Sequence, residues 1–381
     1  MNTLARVVGA VALGAVVLGA AAAAGQPAGP PGRGADAGPV VRIIASDALD
    51  TIAQAAALEA LLEEAKGAKA GLVVLELSGD GARLDVVNRM AGALRRAEVA
   101  LAGYLTGGEN DRVGAGQLAL GLMTARMVAH PRVMVTGAAR GASDELSPDD
   151  TAWAAVAAEL RGRLEWGLGA REHGPDLAIA LTGTCDGLRL VREGGRATLR
   201  VLPEGGANAE PVVRAGRDGC EFMLTRAALS EVGLVAAEAP AWREAARRLD
   251  VGGRMVLERR LPPGARAARG EALGHLARAD EALARAQGAL SLADPSTHSV
   301  AAKKYHEAGR EARESLAHAE RALDEFDALV ERVPEVLRTA REDGDRRVRA
   351  SQYESGWRKA ARDARARAKT LRAKAADYLR Q

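Results

Sequence analysis

Leu72-Val-Val-Leu-Glu-Leu77 runs into Ser78-Gly-Asp-Gly81, and Val99-Ala-Leu-Ala-Gly-Tyr-Leu105 runs into Thr106-Gly-Gly-Glu-Asn-Asp-Arg-Val-Gly-Ala-Gly116. Each apolar run has the length of a buried strand, and each glycine turn is followed by a helical pattern. The first helix, over 84–97, carries Leu84, Val87, Met90 and Leu94 on one face. The second, over 114–128, is apolar nearly all round and is expected to be buried. Arg132-Val-Met-Val-Thr136 closes the stretch as a third strand. Strand, glycine turn and helix in repetition place backbone N–H groups at helix N-termini, which suits a site built from main-chain donors.

The neighbouring residues extend the same alternation. Val40-Val-Arg-Ile-Ile44 reads as a strand, and Asp50 or Thr51 can cap a helix bearing Ile52, Ala55, Leu58, Leu61 and Leu62. A helix is expected over 151–167, then strands over 176–181, 188–191 and 197–201, with Glu193-Gly-Gly195 as a hairpin turn. Cys220–Thr225 reads as a further strand, followed by a short helix ending at Gly233 and another over 241–250. The fold class is therefore α/β with a mainly parallel layer over 40–260.

From about Gly270 the pattern becomes helical, in runs over 270–291, 297–332 and 346–380. Leu273, Leu276, Leu283 and Leu290 form one apolar stripe, and Leu316, Leu323, Phe326 and Leu329 form another. Such stripes favour antiparallel helices or a coiled coil with a partner, so 267–381 is taken as an α-helical C-terminal region. Its end is basic, with Arg358, Lys359, Arg362, Arg365, Arg367 and Lys369 among the cations. Two readings stand: a solvated helix face, or contact with an anionic envelope surface. The whole chain has a net charge of only +3 and no aromatic lies among the cations from Arg358 to Lys369, so no nucleic acid is expected.

At the other end, Arg6, the apolar Val7–Leu18 and the alanines of Ala20–Ala24 read as a signal peptide over 1–25. An uncleaved N-terminal anchor is the alternative, because about 18 apolar residues just span a bilayer. Residues 26–39 are a Pro/Gly-rich flexible linker. Export, to the periplasm or cell envelope, allows Cys185 and Cys220 to form a disulfide. Closing that loop of about 35 residues would stabilise the fold by about 3–4 kcal/mol, and two buried thiols are the alternative. No metal or other cofactor is expected, since the histidines are scattered and the cysteines are only two.

The order of these segments resembles the ClpP/crotonase-like superfamily, in particular serine proteases of the NfeD and signal-peptide-peptidase type. That family opens with a strand like Val41-Arg-Ile-Ile44 and passes an Ala-rich segment like Ala65-Lys-Gly-Ala-Lys-Ala70. It then closes a strand with an acidic, glycine-rich turn, matched here by Val73-Val-Leu-Glu-Leu-Ser-Gly-Asp-Gly-Ala-Arg-Leu-Asp85. Leu101-Ala-Gly-Tyr-Leu105, His130-Pro-Arg-Val-Met-Val-Thr-Gly137 and Leu224-Thr-Arg-Ala-Ala-Leu-Ser-Glu-Val-Gly-Leu234 match later family segments, the last with Ala where the family has Glu. The resemblance implies a strand-helix spiral domain over about 40–250, serine-protease ancestry and assembly into homo-oligomers.

The departures bear on chemistry. The family's nucleophilic serine falls on Gly114 or Ala115, and no serine occurs between Ser78 and Ser143. No lysine lies between Lys69 and Lys303, so the family's lysine base has no counterpart. A histidine base would fall near Thr136 or Gly137, whereas His130 precedes Pro131. The oxyanion-hole glycine pair becomes Gly81-Ala82, and Ala82 restricts the positive φ that glycine permits. His173, Thr106, Thr124 and Thr136, and the carboxylates Glu109 and Asp111, are weaker candidates for a base, a hydroxyl or acid–base chemistry. The expectation is an exported, non-catalytic member that binds a peptide or protein partner. The alternatives are a serine-type endopeptidase using unmatched residues and a structural coiled-coil envelope protein.

Overall fold

The computed structural model describes residues 38–107, 111–136, 155–156, 158–163, 188–201, 209–211, 213–216, 219–293, 302–338 and 350–380. From β1 (Val40–Ala45) the chain runs through α1 (Ile52–Gly67), β2 (Leu72–Leu77), α2 (Leu84–Arg96) and β3 (Leu101–Leu105). It continues through β4 (Arg112–Gly114), α3 (Ala115–Leu122), β5 (Arg126–Ala129) and β6 (Met134–Thr136). The hairpin β7 (Leu188–Glu193) and β8 (Arg196–Val201) follows, with β9 (Ala209–Pro211), β10 (Val213–Gly216) and β11 (Gly219–Thr225). Then come α4 (Arg226–Glu231), β12 (Ala237–Glu238), α5 (Trp242–Arg248) and β13 (Val256–Arg260). Three long helices finish the chain: α6 (Ala265–Leu292), α7 (Ala302–Arg332) and α8 (Ala350–Tyr378).

The main sheet has the order β12-β5-β3-β2-β1-β13, and every pairing in it is parallel. Alternation within β1 explains its two faces. Val41, Ile43 and Ala45 join the core that holds Leu58, Leu62, Leu84, Met90 and Leu118. Val40 faces the other way, into a smaller core with Leu72, Val74, Tyr104, Val128 and Leu249. Arg42, on that second side, has its guanidinium 4.3 Å from the Trp242 ring centre, with Nε donating to Glu76 Oε2 and Nη1 to Glu258 Oε2, each at 2.7 Å. A half-covered strand position thus carries a charge that is paired and stacked rather than bare.

A second sheet, β10-β11-β6-β4, and a third, β8-β7-β9, complete the β structure of the described residues. The Glu193-Gly-Gly195 hairpin forms as expected, with Gly194 and Gly195 both at positive φ (59° and 78°). The third core helix is shorter than its pattern suggests. It stops at Leu122, and Arg126–Ala129 becomes β5, pairing in parallel with β3. An apolar run of that kind satisfies a buried helix or a buried strand equally, and the unpaired flank of β3 decides between them. Likewise Arg132 and Val133 lie in a turn before β6, and β4 forms inside what the sequence presents as a loop. β13, which the sequence pattern did not suggest, adds the sixth strand beside β1.

The helical region packs on its own core, in which Ala272, Ala279, Ala286, Ala312 and Ala319 alternate with Leu283, Leu323, Phe326 and Leu329. Helices α6 and α7 are antiparallel, with His275 near the start of one 3.0 Å from Glu325 near the end of the other. The third helix, α8, runs back along α7, Arg365 lying against Asp327 and Arg372 against Glu320. Phe326 stacks with Trp357 at 6.3 Å, and the Tyr378 hydroxyl donates to Leu290 O at 3.2 Å. Among the described residues no helix is long and apolar enough to cross a membrane. The segment 1–37, where a signal peptide is expected, and Cys185 lie outside the described residues, and of Cys220 only the backbone is described.

Candidate functional site

The turn after β2 and the start of α3 come together, as their glycines suggest. Gly79 and Gly81 adopt φ of +84° and +88°, a conformation that glycine takes without a Cβ clash. Ala82 has no positive φ, so the sharp turn is complete before it and the alanine is unstrained. The Gly114 amide donates to Gly79 O at 2.9 Å, fastening the end of β4 to the turn. Gly114 is the N-cap of α3 and Ala115 its first residue, 2% exposed. A β-carbon on Gly116 would run into the Ala82 methyl, so the first turn of α3 sits directly on the glycine turn.

The space beside Gly114 is filled. Gln117, fully buried, directs its carboxamide across this junction, and Nε2 donates to Asp47 O and Gly81 O, each at 3.2 Å. Its Oε1 lies 2.5 Å from where a β-carbon on Gly114 would sit, and the Gly81 nitrogen lies 3.0 Å from that same point. Oε1 has no hydrogen-bond partner, so the group is held by its amine side alone. Such an orphaned acceptor costs about 1–3 kcal/mol and needs close packing around it to persist.

The other residues singled out by the sequence are dispersed. His130 Nδ1 accepts the Arg132 amide at 3.3 Å and lies 3.7 Å from Asp111 Oδ1, while Arg132 Nε is 3.3 Å from Asp111 Oδ2. The Thr124 hydroxyl donates to Gly121 O at 2.6 Å and finishes α3. Thr136 faces Gly114 across the β4–β6 pair. Glu109 and His173 lie outside the described residues. In the tail, Arg365 pairs with Asp327 at 2.5 Å and Arg367 donates to Gln287 at 2.8 Å. Lys359, Arg362 and Lys369 are exposed. Among the described residues no cluster of His, Cys, Asp and Glu could hold a metal ion.

Two acidic residues have roles that the sequence pattern did not suggest. Thr51 caps α1 in a reciprocal box with Gln54, which leaves Asp50 free for another helix. Asp50 Oδ1 accepts the Ala265 amide at 2.8 Å, at the start of α6. Glu335, in the short 3-10 turn Pro334–Arg338, accepts the Ile52 amide at 2.7 Å, at the start of α1. Burial pushes the Asp50 carboxyl above the ordinary value, opposed by the Ala265 amide and the Arg83 charge. Arg83 is held by Asp85 in two bonds of 2.8 Å, and its other arm is 3.9 Å from Glu335. Gln117 carried one sequence signal, as the lone polar side chain in Ala115–Met123. Glu335 carried none, because its partner lies 283 residues away.

No family model and no curated protein matches this chain. Among solved structures, a membrane-bound stomatin-specific protease, as a Lys-to-Ala mutant in complex with a substrate peptide, is similar at 14% identity and a TM-score of 0.38. That likeness covers 60% of this chain and 94% of the other. A Ser-to-Ala mutant of that protease is similar at 12% identity and a TM-score of 0.39, over 60% and 99% of the two chains. At these scores the likeness carries no argument about this chain's site.

Proposed function

We propose that this chain is an exported, non-catalytic relative of ClpP/NfeD-like serine proteases that acts by binding a peptide or protein partner. The observation that carries the reading is the buried Gln117 carboxamide, which occupies the space beside Gly114 that a side chain bearing an attacking hydroxyl would need. The sequence supports it, with no serine between Ser78 and Ser143 and no lysine between Lys69 and Lys303. A glycine turn closed by a neutral, hydrogen-bonded side chain preserves the shape of the domain without an activated nucleophile.

Incubating the purified protein with a fluorophosphonate probe and with casein tests this reading. No labelling and no cleavage are expected. Robust labelling, or cleavage abolished by one point substitution, would replace it with an active peptidase. Contact with an anionic envelope surface, through Lys359, Arg362 and Lys369, belongs to the same proposal. Its check is sedimentation with vesicles containing acidic lipid, and charge reversal at those three positions is expected to abolish it. Self-assembly is part of the proposal too, and a mass measured in solution at several concentrations tests it.

A further inference from the structure

The segment 47–52 has no unattached residue. On one side it faces the glycine turn: Asp47 O takes the Gln117 amine, the Leu49 amide donates to Gly81 O at 3.1 Å, and Leu49 O accepts the Arg83 amide at 2.8 Å. In the middle, Gln54 ties it down, Nε2 donating to Ala48 O at 2.8 Å and Oε1 accepting from Asp50 and Thr51. On the other side it faces the helical region. There Asp50 receives the Ala265 amide, and Ile52 donates to Glu335. The approach is close as well as polar. A β-carbon on Gly264 would lie 2.7 Å from Ala48 O and 3.0 Å from Asp50 Oδ1, so only glycine lets the helical region seat here.

The two caps cross. A carboxylate from the α/β region closes the first helix of the helical region, and a carboxylate from the helical region closes the first helix of the α/β region. Each removes an orphan amide at a helix N-terminus, where a negative charge is favoured. Glu335 is 7% exposed and its Oε2 accepts no hydrogen bond, so besides Ile52 its carboxylate has, among the described residues, only the Arg83 guanidinium, 3.9 Å away.

We propose that the helical region is a strap, and that its docking through Glu335, Asp50 and Gly264 holds Gln117 in the glycine turn by way of residues 47–52. Releasing the strap shifts Asp47 and Leu49 and therefore loosens the Gln117 and Gly81 contacts. The device is independent of whether the turn ever supported catalysis.

Amide hydrogen exchange on the full chain tests it, comparing Glu335→Ala, Gly264→Val and the control Arg365→Ala. Arg365 pairs with Asp327 inside the helical region, away from the strap contacts. Glu335→Ala and Gly264→Val are expected to speed exchange about tenfold, the size of a lost cap, both in 50–54 with 265–268 and in 79–83 with 114–118. Arg365→Ala is expected to leave 79–83 and 114–118 unchanged. Acceleration confined to 50–54 and 265–268, or site acceleration by the control as well, overturns the proposal. Should the variants not fold, the wild type in sub-transition urea gives the same answer. Amides of the two places must then share one opening with one urea dependence, and separate dependences overturn the strap.

Discussion

Gln117 Nε2 donates to the carbonyl oxygen of Gly81 at 3.2 Å, a side chain of α3 reaching back to the turn that follows β2. That bond and its companion to Asp47 make the site a packed junction rather than an open groove.

Placing a hydroxyl at position 114 is therefore expected to cost stability rather than confer activity. Gly114→Ser places a β-carbon 2.5 Å from Gln117 Oε1. Overpacking of this kind costs about 1–3 kcal/mol. The double variant with Gln117→Ala is expected to recover part of that loss, giving a non-additive cycle in urea denaturation. Simple additivity of the two costs would show that Gln117 does not occupy the space a side chain at position 114 would need.

Gln117→Glu is expected to be worse than Gln117→Ala near neutral pH. An ionised carboxylate would point acceptor-only oxygens at Asp47 O and Gly81 O in a buried position. Its folded-state pKa would be raised, so the loss is expected to shrink as pH falls and the group protonates. Thermal unfolding of the variant between pH 7 and 5 checks the direction.

At Asp50 the sign follows from burial, which raises its pKa above the ordinary carboxylate value. A raised acid binds its proton more tightly in the folded chain, so its contribution is most favourable below the unfolded value and fades as pH rises through the folded one. Asp50→Asn keeps an acceptor for the Ala265 amide and is expected to be neutral or stabilising at pH 7, with that slope removed. Asp50→Ala loses the cap and is expected to cost about 1 kcal/mol. Urea midpoints across pH 4–7 separate the two.

Tyr104 has its hydroxyl pushed up to about 12, first by burial and then by the nearby Glu76 charge, with Arg42 opposing. Its contribution is intact below the ordinary value near 10 and is expected to be lost as pH rises toward 12. Ultraviolet titration is expected to show one late tyrosinate that is missing in Tyr104→Phe. That variant also leaves Ala239 O without the 3.1 Å hydroxyl bond, at a cost of about 1 kcal/mol.

The sequence by itself determined much of this protein. Continuous apolar runs marked β1, β2 and β3, and period-3.6 apolar patterns marked α1 and α2, because burying those residues is the dominant local requirement. Glycines at 79, 81, 194 and 195 marked turns, because only they take those angles freely. The switch to apolar Leu stripes after about Gly270 marked the long helices, the first of which starts at Ala265. Tertiary structure alone decided where α3 gives way to β5, since an all-apolar run fits helix and strand alike until the flank of β3 claims it. It also decided that the space beside Gly114 is filled by Gln117, that Asp50 caps α6 and that Glu335 caps α1. Those outcomes depend on which groups meet across dozens to hundreds of residues. Hydrogen bonds between such distant partners leave no periodicity for a sequence to display.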